Sequence, residues 1–271
     1  MTEPEGRVRR MGELTEPTAE GLLTYGEYLA VPELIALQRL RSDPAVHDEL
    51  LFIVVHQAYE LWFKQLIFEL ESVRDRMFED DVRRARHYLT RIDAIERILI
   101  DHIQVLETMS PQDFLDFRSL LTPASGFQSA QFREVEFLSG LKQRGYLSDL
   151  AASPDELARL ARRLDEPTVW DGFVALLERH GLDMPADDEA RRLENLLRMA
   201  REPEHAAVFG VAEGLLDHDE SFAQWRFHHV LMVEREIGAK QGTGGSAGVE
   251  YLRKTLDKRF FPELWGLRSH L

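Results

Sequence analysis

His56 ends the apolar run Leu50–Val55, and Phe52 stands four residues before it. On a helix that spacing projects both rings from one face. A buried imidazole needs a hydrogen-bond partner, so on position alone a satisfied core histidine is the readier account of His56. His228 and His229 are neighbours in WRFHHVLMVEREIG. On a helix they point about 100° apart, so one of them, not both, could ligate a metal at a given site. Arg118 sits in DFLDFRSLL among Phe114, Leu115 and Phe117. Its planar fork suits a carboxylate ligand, while Asp113 and Asp116 offer a local ion pair that explains it about as well. The remaining chemistry-bearing histidines, among them His87, His180, His218 and His270, stand in charged or terminal contexts and attract no role.

Other chemistries find less support. The one Glu-x-x-His spacing, Glu202 to His205, has Pro203 inside it, and a di-iron bundle needs two such pairs on separate helices. His-Glu-x-x-His and Gly-x-Ser-x-Gly are absent, and with no cysteine any thiolate-ligated metal is closed off. The passage IGAKQGTGGSAGVEYL, Ile237 to Leu252, is the only Gly-dense stretch. It lacks the Lys-Ser/Thr of a phosphate-binding loop and follows a helix rather than a strand. Its glycines allow positive φ and close approach of a ligand to backbone. Seen alone, such a loop is usually a connector.

The elements that must position these groups read as helices. The chain has 271 residues, 44% hydrophobic, enough for one large domain or two small ones with a real core. A net charge of −15 repels phosphate backbones and argues against nucleic acid as a partner. No apolar run approaches membrane-spanning length, and the expectation is a soluble, cytoplasmic protein. From Ala45 to Ser110 there is neither Gly nor Pro. The first pattern there, about Pro44 to Phe78, is apolar nearly all round at its centre and predicts a helix buried in a bundle. The second carries Val82, Ala85, Leu89, Ile92, Ile95, Leu99, Ile103 and Leu106 as a one-sided stripe. Ser110-Pro111 with Asp113 predicts a capped helix start. A helix from about Ser221 to Gly238 and a closing helix to about Arg259 flank the Gly-rich loop. Residues 1–20 read as an arm, 21–271 as one all-α domain, and about 146–215 as an insertion of short helices.

The stretches TYGEYL, HDELLFIVVHQAYELWFKQLIFELESV, SPQDFLDFRSLLTPASGFQSAQFR and WRFHHVLMVEREIGAKQGTGGSAGVEYLRKTL together closely resemble, in order, the tryptophan 2,3-dioxygenase family. The resemblance runs from about Leu23 to Leu267 and is weak only in the insertion. It implies a helical bundle holding b-type haem, ferrous when active, that inserts O2 across the indole C2–C3 bond of L-tryptophan to give N-formylkynurenine, the first step of the kynurenine pathway. It implies His229 as the axial ligand of the haem iron, with His228 in a variable position, and His56 as the distal histidine that positions the indole N–H. Arg118 would bind the substrate carboxylate and Thr243 the amino-acid end. Phe52, Phe114, Tyr25, Tyr28 and Leu29 would wall the pocket, and Ser125 and Gly126 would cover the distal face. Phe114 stands where some relatives carry Tyr, and Ala247 where Ser is frequent. A homotetramer is implied, with N-terminal residues completing a neighbour's site. The alternatives are a haem oxygenase of the same fold acting on a substituted tryptophan or inserting one oxygen atom, and a non-enzymatic haem-binding protein.

Overall fold

A computed structural model describes residues 23–149, 152–244 and 248–271; the expected N-terminal arm and the loop residues Gly245, Ser246 and Ala247 lie outside them. Among the described residues every regular element is a helix, as the sequence predicts. The chain divides into two compact units, Met1–Arg39 and Leu40–Leu271. In the first, α1 (Tyr25–Tyr28) and α2 (Val31–Leu34) are single turns. A capping box starts α1: the Glu27 carboxylate accepts from the Thr24 amide at 2.9 Å, and the Thr24 hydroxyl accepts from the Glu27 amide.

The second unit holds α3 (His47–Phe78), α4 (Val82–Leu106), α5 (Pro111–Leu121), α6 (Ala130–Leu138) and α7 (Tyr146–Asp149). There follow α8 (Pro154–Asp165), α9 (Val169–Arg179), α10 (Glu189–Arg201), α11 (Ala206–Ile237), α12 (Val249–Arg253) and α13 (Pro262–Leu267). The expected stripe on α4 is buried from Ala85 to Leu106, because α4 lies between the two longest helices, packing on α3 and on α11. The Tyr59 hydroxyl of α3 donates to the Leu99 carbonyl of α4 at 2.6 Å and ties the two at mid-length. The α6 and α9 helices cover further faces of α3, and α8 covers α6. Ser110 caps α5 through the Asp113 amide as predicted.

Three expectations change. The helix expected from Ser221 begins at Ala206. Its first turns carry Gly210 and Gly214 as contact points: a Cβ on Gly214 would stand 3.0 Å from the Leu89 side chain, and one on Gly210 would stand 2.8 Å from Arg86. Small residues there let α11 lie close to α4. The closing helix is shorter than expected, ending at Arg253 before turns lead to α13. Finally, α3 is not enclosed within the chain. Leu50, Val54, Leu61 and Phe68 form an exposed strip along it, while Val55, Tyr59, Phe63 and Leu66 face the core.

His218, assigned no role from sequence, is wholly buried. Its Nδ1 meets Glu96 Oε1 at 2.6 Å and its Nε2 meets Ser139 Oγ at 2.9 Å. The order of groups is that of a hydrolytic triad, but all three are sealed in the core and none lines the cavity described next. The cluster joins α4, α6 and α11 as a buried polar knot, in which Glu96 Oε2 has no partner among the described residues.

Candidate active site

The second unit encloses a cavity between α3, the end of α4, α5, α6, α11 and the loop after α11. It brings His56, Phe52, Phe114, Arg118, Ser125, Gly126, Thr243 and His229 to one lining. These residues span almost two hundred positions of the sequence, and the long helices α3 and α11 supply the two imidazoles.

His56 lies mid-α3. Its Nδ1 is 2.7 Å from the Phe52 carbonyl one turn back, so Nδ1 carries the proton and donates. That tautomer leaves the Nε2 lone pair as an acceptor. Burial is the chief cause that lowers the pKa of His56, against the opposing pull of the Phe52 carbonyl and Glu60, and keeps the ring neutral. The Phe52 ring lies 4.0 Å from the imidazole, and 5.8 Å from Phe114 in a stacked pair. Phe117 closes edge-on against both phenyls.

The two neighbouring histidines differ in their surroundings. His228 is exposed, whereas His229 lines the cavity. Trp225, one turn earlier on α11, stacks on the His229 ring at 5.0 Å with planes 10° apart and fixes its orientation. Burial, aided by the nearby His56, depresses the His229 pKa to about 4. The ring therefore stays neutral at any ordinary pH, with a lone pair available to a ligand. The surface it retains belongs to the cavity it lines, so deep burial and partial accessibility are compatible.

Arg118 projects from α5. One of its Nη atoms donates to the Gln241 carbonyl, 123 residues on, rather than to Asp113 or Asp116, while its buried Nε has no acceptor among the described residues. The local ion pair weighed from sequence is thus absent. Asp113 is occupied instead by the Ser110 hydroxyl at 2.5 Å. The Thr243 hydroxyl donates to the Ala124 carbonyl at 2.7 Å, fastening the Gly-rich loop to the segment before Ser125. Ser125 caps the short 3-10 turn Gly126–Gln128. Gly244 packs on Ser125 so tightly that a Cβ would come within 2.8 Å of its hydroxyl.

The loop's far end is equally constrained. Gly248 has φ +61°, and a Cβ there would lie 2.6 Å from the Lys240 carbonyl. Gly248→Ala combines left-handed strain with a backbone clash, at a cost of roughly 1–3 kcal/mol. The expected outcome is a displaced loop and weaker ligand binding with little change in helix content, checked by titration beside circular dichroism.

Tyr25, Tyr28 and Leu29 belong to the N-terminal unit, where all three are exposed. Sequence reasoning missed several lining residues. Glu136 accepts from Arg133 at 2.6 Å and from Arg226 at 3.0 Å, all three buried, and this cluster leaves one net positive charge on the wall. The Arg133 guanidinium also lies over Tyr146, 4.1 Å from its ring centre. Glu236 is 5% exposed, neither carboxylate oxygen has a partner among the described residues, and burial raises its pKa. The only sequence signal for it is position: seven residues after His229 falls on the same face of α11.

Fold and site together define a helical-bundle protein with two neutral histidines at a largely apolar cavity that also presents arginine. Comparison with known proteins makes the assignment specific. The family model described as tryptophan 2,3-dioxygenase matches residues 13–188 and 190–271. The chain is 53% identical to a tryptophan 2,3-dioxygenase of Nocardioides sp. over 256 residues, covering 92% of this chain and 95% of the relative. It is 44% identical to one from Herpetosiphon aurantiacus, at 92% and 98% coverage. A Rhodococcus jostii relative of the same name is 40% identical, at 92% coverage of each. The chain belongs to the tryptophan 2,3-dioxygenase family.

Proposed function

We propose that this protein is a haem-dependent tryptophan 2,3-dioxygenase, converting L-tryptophan and O2 to N-formylkynurenine. The observation that carries the reading is the pair of neutral imidazoles at one cavity, with an arginine whose Nε awaits an acceptor. Family membership selects this activity among those such a cavity could host.

The lining fits a b-type haem. His229 makes no hydrogen bond within the described residues, so its lone pair is free for iron, and the Trp225 stack presets its plane. Arg133 and Arg226 offer cationic partners for acidic haem substituents, and the buried Arg133 Nε lacks an acceptor. When bound at His229, haem would supply ferrous iron for O2 activation.

The chain's own groups bind and orient the substrate. The indole fits between Phe52 and Phe114, flat walls for a flat ring. The unprotonated Nε2 of His56 accepts the indole N–H, which fixes which ring edge faces the reacting oxygen. Arg118, braced by the Gln241 carbonyl, takes the carboxylate. Thr243 has lone pairs left after donating to Ala124 and accepts from the ammonium. Closing the loop over this end excludes water.

The family's homotetramer is proposed here too. The strip Leu50, Val54, Leu61 and Phe68 is an apolar face that assembly would cover. Tyr25, Tyr28 and Leu29 would then wall a neighbouring subunit's pocket.

Turnover of L-tryptophan by reduced, haem-loaded protein, read as N-formylkynurenine by chromatography, tests the activity; a mono-oxygenated product or none rejects it. His56→Ala should keep its haem spectrum and lose about 10- to 100-fold in kcat, the scale of lost positioning. A loss beyond about 10⁴-fold with unchanged tryptophan binding would make His56 a base instead.

A further inference from the structure

The Glu202-x-x-His205 spacing carries no di-iron chemistry, yet folding gives it a third donor. Pro203–His205 forms one 3-10 turn between α10 and α11, and it places Glu202, Glu204 and His205 around one point. His205 is 5% exposed, and its Nε2 is buried without a hydrogen-bond partner. That nitrogen points at both carboxylates: Glu202 Oε2 is 3.4 Å away and Glu204 Oε1 is 3.7 Å away. Neither contact is close enough for a strong hydrogen bond. All three donor atoms fall within 4.8 Å of one another.

These separations suit a shared cation. Two ligands bonded to tetrahedral zinc at about 2.1 Å stand about 3.4 Å apart. An orphaned imidazole nitrogen facing two oxygens at that spacing is a set of donors without its acceptor. We propose that Glu202, Glu204 and His205 form a divalent-cation site, of zinc type by its one-nitrogen, two-oxygen donor set, with water completing the coordination. The site is independent of the cavity, whose lining it does not share.

Two neighbours bear on its strength. Arg198 contacts Glu202 from the preceding turn, with Nε 3.2 Å from Oε1. Its Nη2 also reaches Oε2 at a longer 3.4 Å, so it holds both carboxylate oxygens as an outer partner that orients the ligand, and a cation must share Oε2 with it. Its charge, and the positive end of α11 that starts at Ala206, oppose a cation and place the affinity below that of closed structural zinc sites. Binding would pin the end of α10 to the start of α11, the helix that carries His229.

The test uses tag-free, haem-loaded protein, so that cavity histidines are not open to added metal. Titration with zinc chloride by calorimetry should show one equivalent bound, and thermal unfolding should shift upward with zinc. Glu204→Gln, at a residue exposed enough to spare the fold, should weaken zinc binding by about 10- to 100-fold and abolish the thermal shift. His205→Ala should weaken it further. Cobalt in place of zinc should give the visible bands of low-symmetry N/O coordination in the parent and lose them in both variants. No stoichiometric binding, or binding that both variants leave unchanged, overturns the site.

Discussion

His229→Ala should cost the protein its haem: affinity falls by about 100-fold or more, since removal of a ligand exceeds the loss of its outer partner. The absorption spectrum of the reduced protein reads this directly, and turnover disappears with it. His228→Ala should leave the spectrum unchanged, because that side chain is exposed. The adjacent substitutions thus differ by almost the whole activity, although both remove an imidazole from the same turn of α11. A failure to fold is separable from a lost ligand. The variant should keep its helical circular dichroism, and added imidazole, filling the vacated space beside Trp225, should restore part of the spectrum. A His229→Ala protein that binds haem as tightly as the parent, or a His228→Ala protein that does not bind it, would reverse the assignment.

Arg118→Ala should act on the substrate and not on the cofactor. The guanidinium stands at the joint of α5 and the Gly-rich loop, bonded to the Gln241 carbonyl and with Nε lacking an acceptor. Truncating one partner of a desolvated, hydrogen-bonded charge pair costs about 2–5 kcal/mol. The expected loss in kcat/KM for L-tryptophan is therefore about 30- to 5,000-fold. Arg118→Lys should recover only part of it, because an ammonium cannot present the fork that meets two oxygens at once. Tryptamine, which has no carboxylate, provides the control: its weak binding should be nearly the same in parent and variant. If Arg118→Ala retained normal tryptophan affinity with an intact haem spectrum, Arg118 would not be the group that takes the carboxylate.

Local pattern made part of this molecule legible. The α4 stripe is a statement about one face of one helix, and every residue of it from Ala85 onward is buried. Ser110 and Pro111 specify a helix start through neighbouring atoms alone, and α5 begins there. What escaped depended on contacts between distant segments. The start of α11 at Ala206 rests on Gly210 and Gly214, which let Arg86 and Leu89 of α4 stand against the helix. Glu236 reads as a surface residue of a charged helix until the cavity closes beside it. The Thr243 hydroxyl meets the Ala124 carbonyl across 119 residues. At the site, position alone favoured a structural role for His56 and left His228 and His229 undecided. Resemblance named the roles, and the geometry adds the tautomer of one ring and the exposure that separates the other two.

One feature of the bundle bears on how such an enzyme could be adjusted. Neither imidazole belongs to α4, yet α4 lies between the helix that carries His56 and the helix that carries His229. Its buried side chains work as shims. Ile92 and Leu99 touch no substrate, but their bulk sets how far apart the two flanking rods stand. Protein interiors compress little, so a methylene added or removed in this seam is passed on to the gap between the histidines. The separation of the two histidines is thus written in residues remote from them, where a lineage could retune the site without altering any group that lines it.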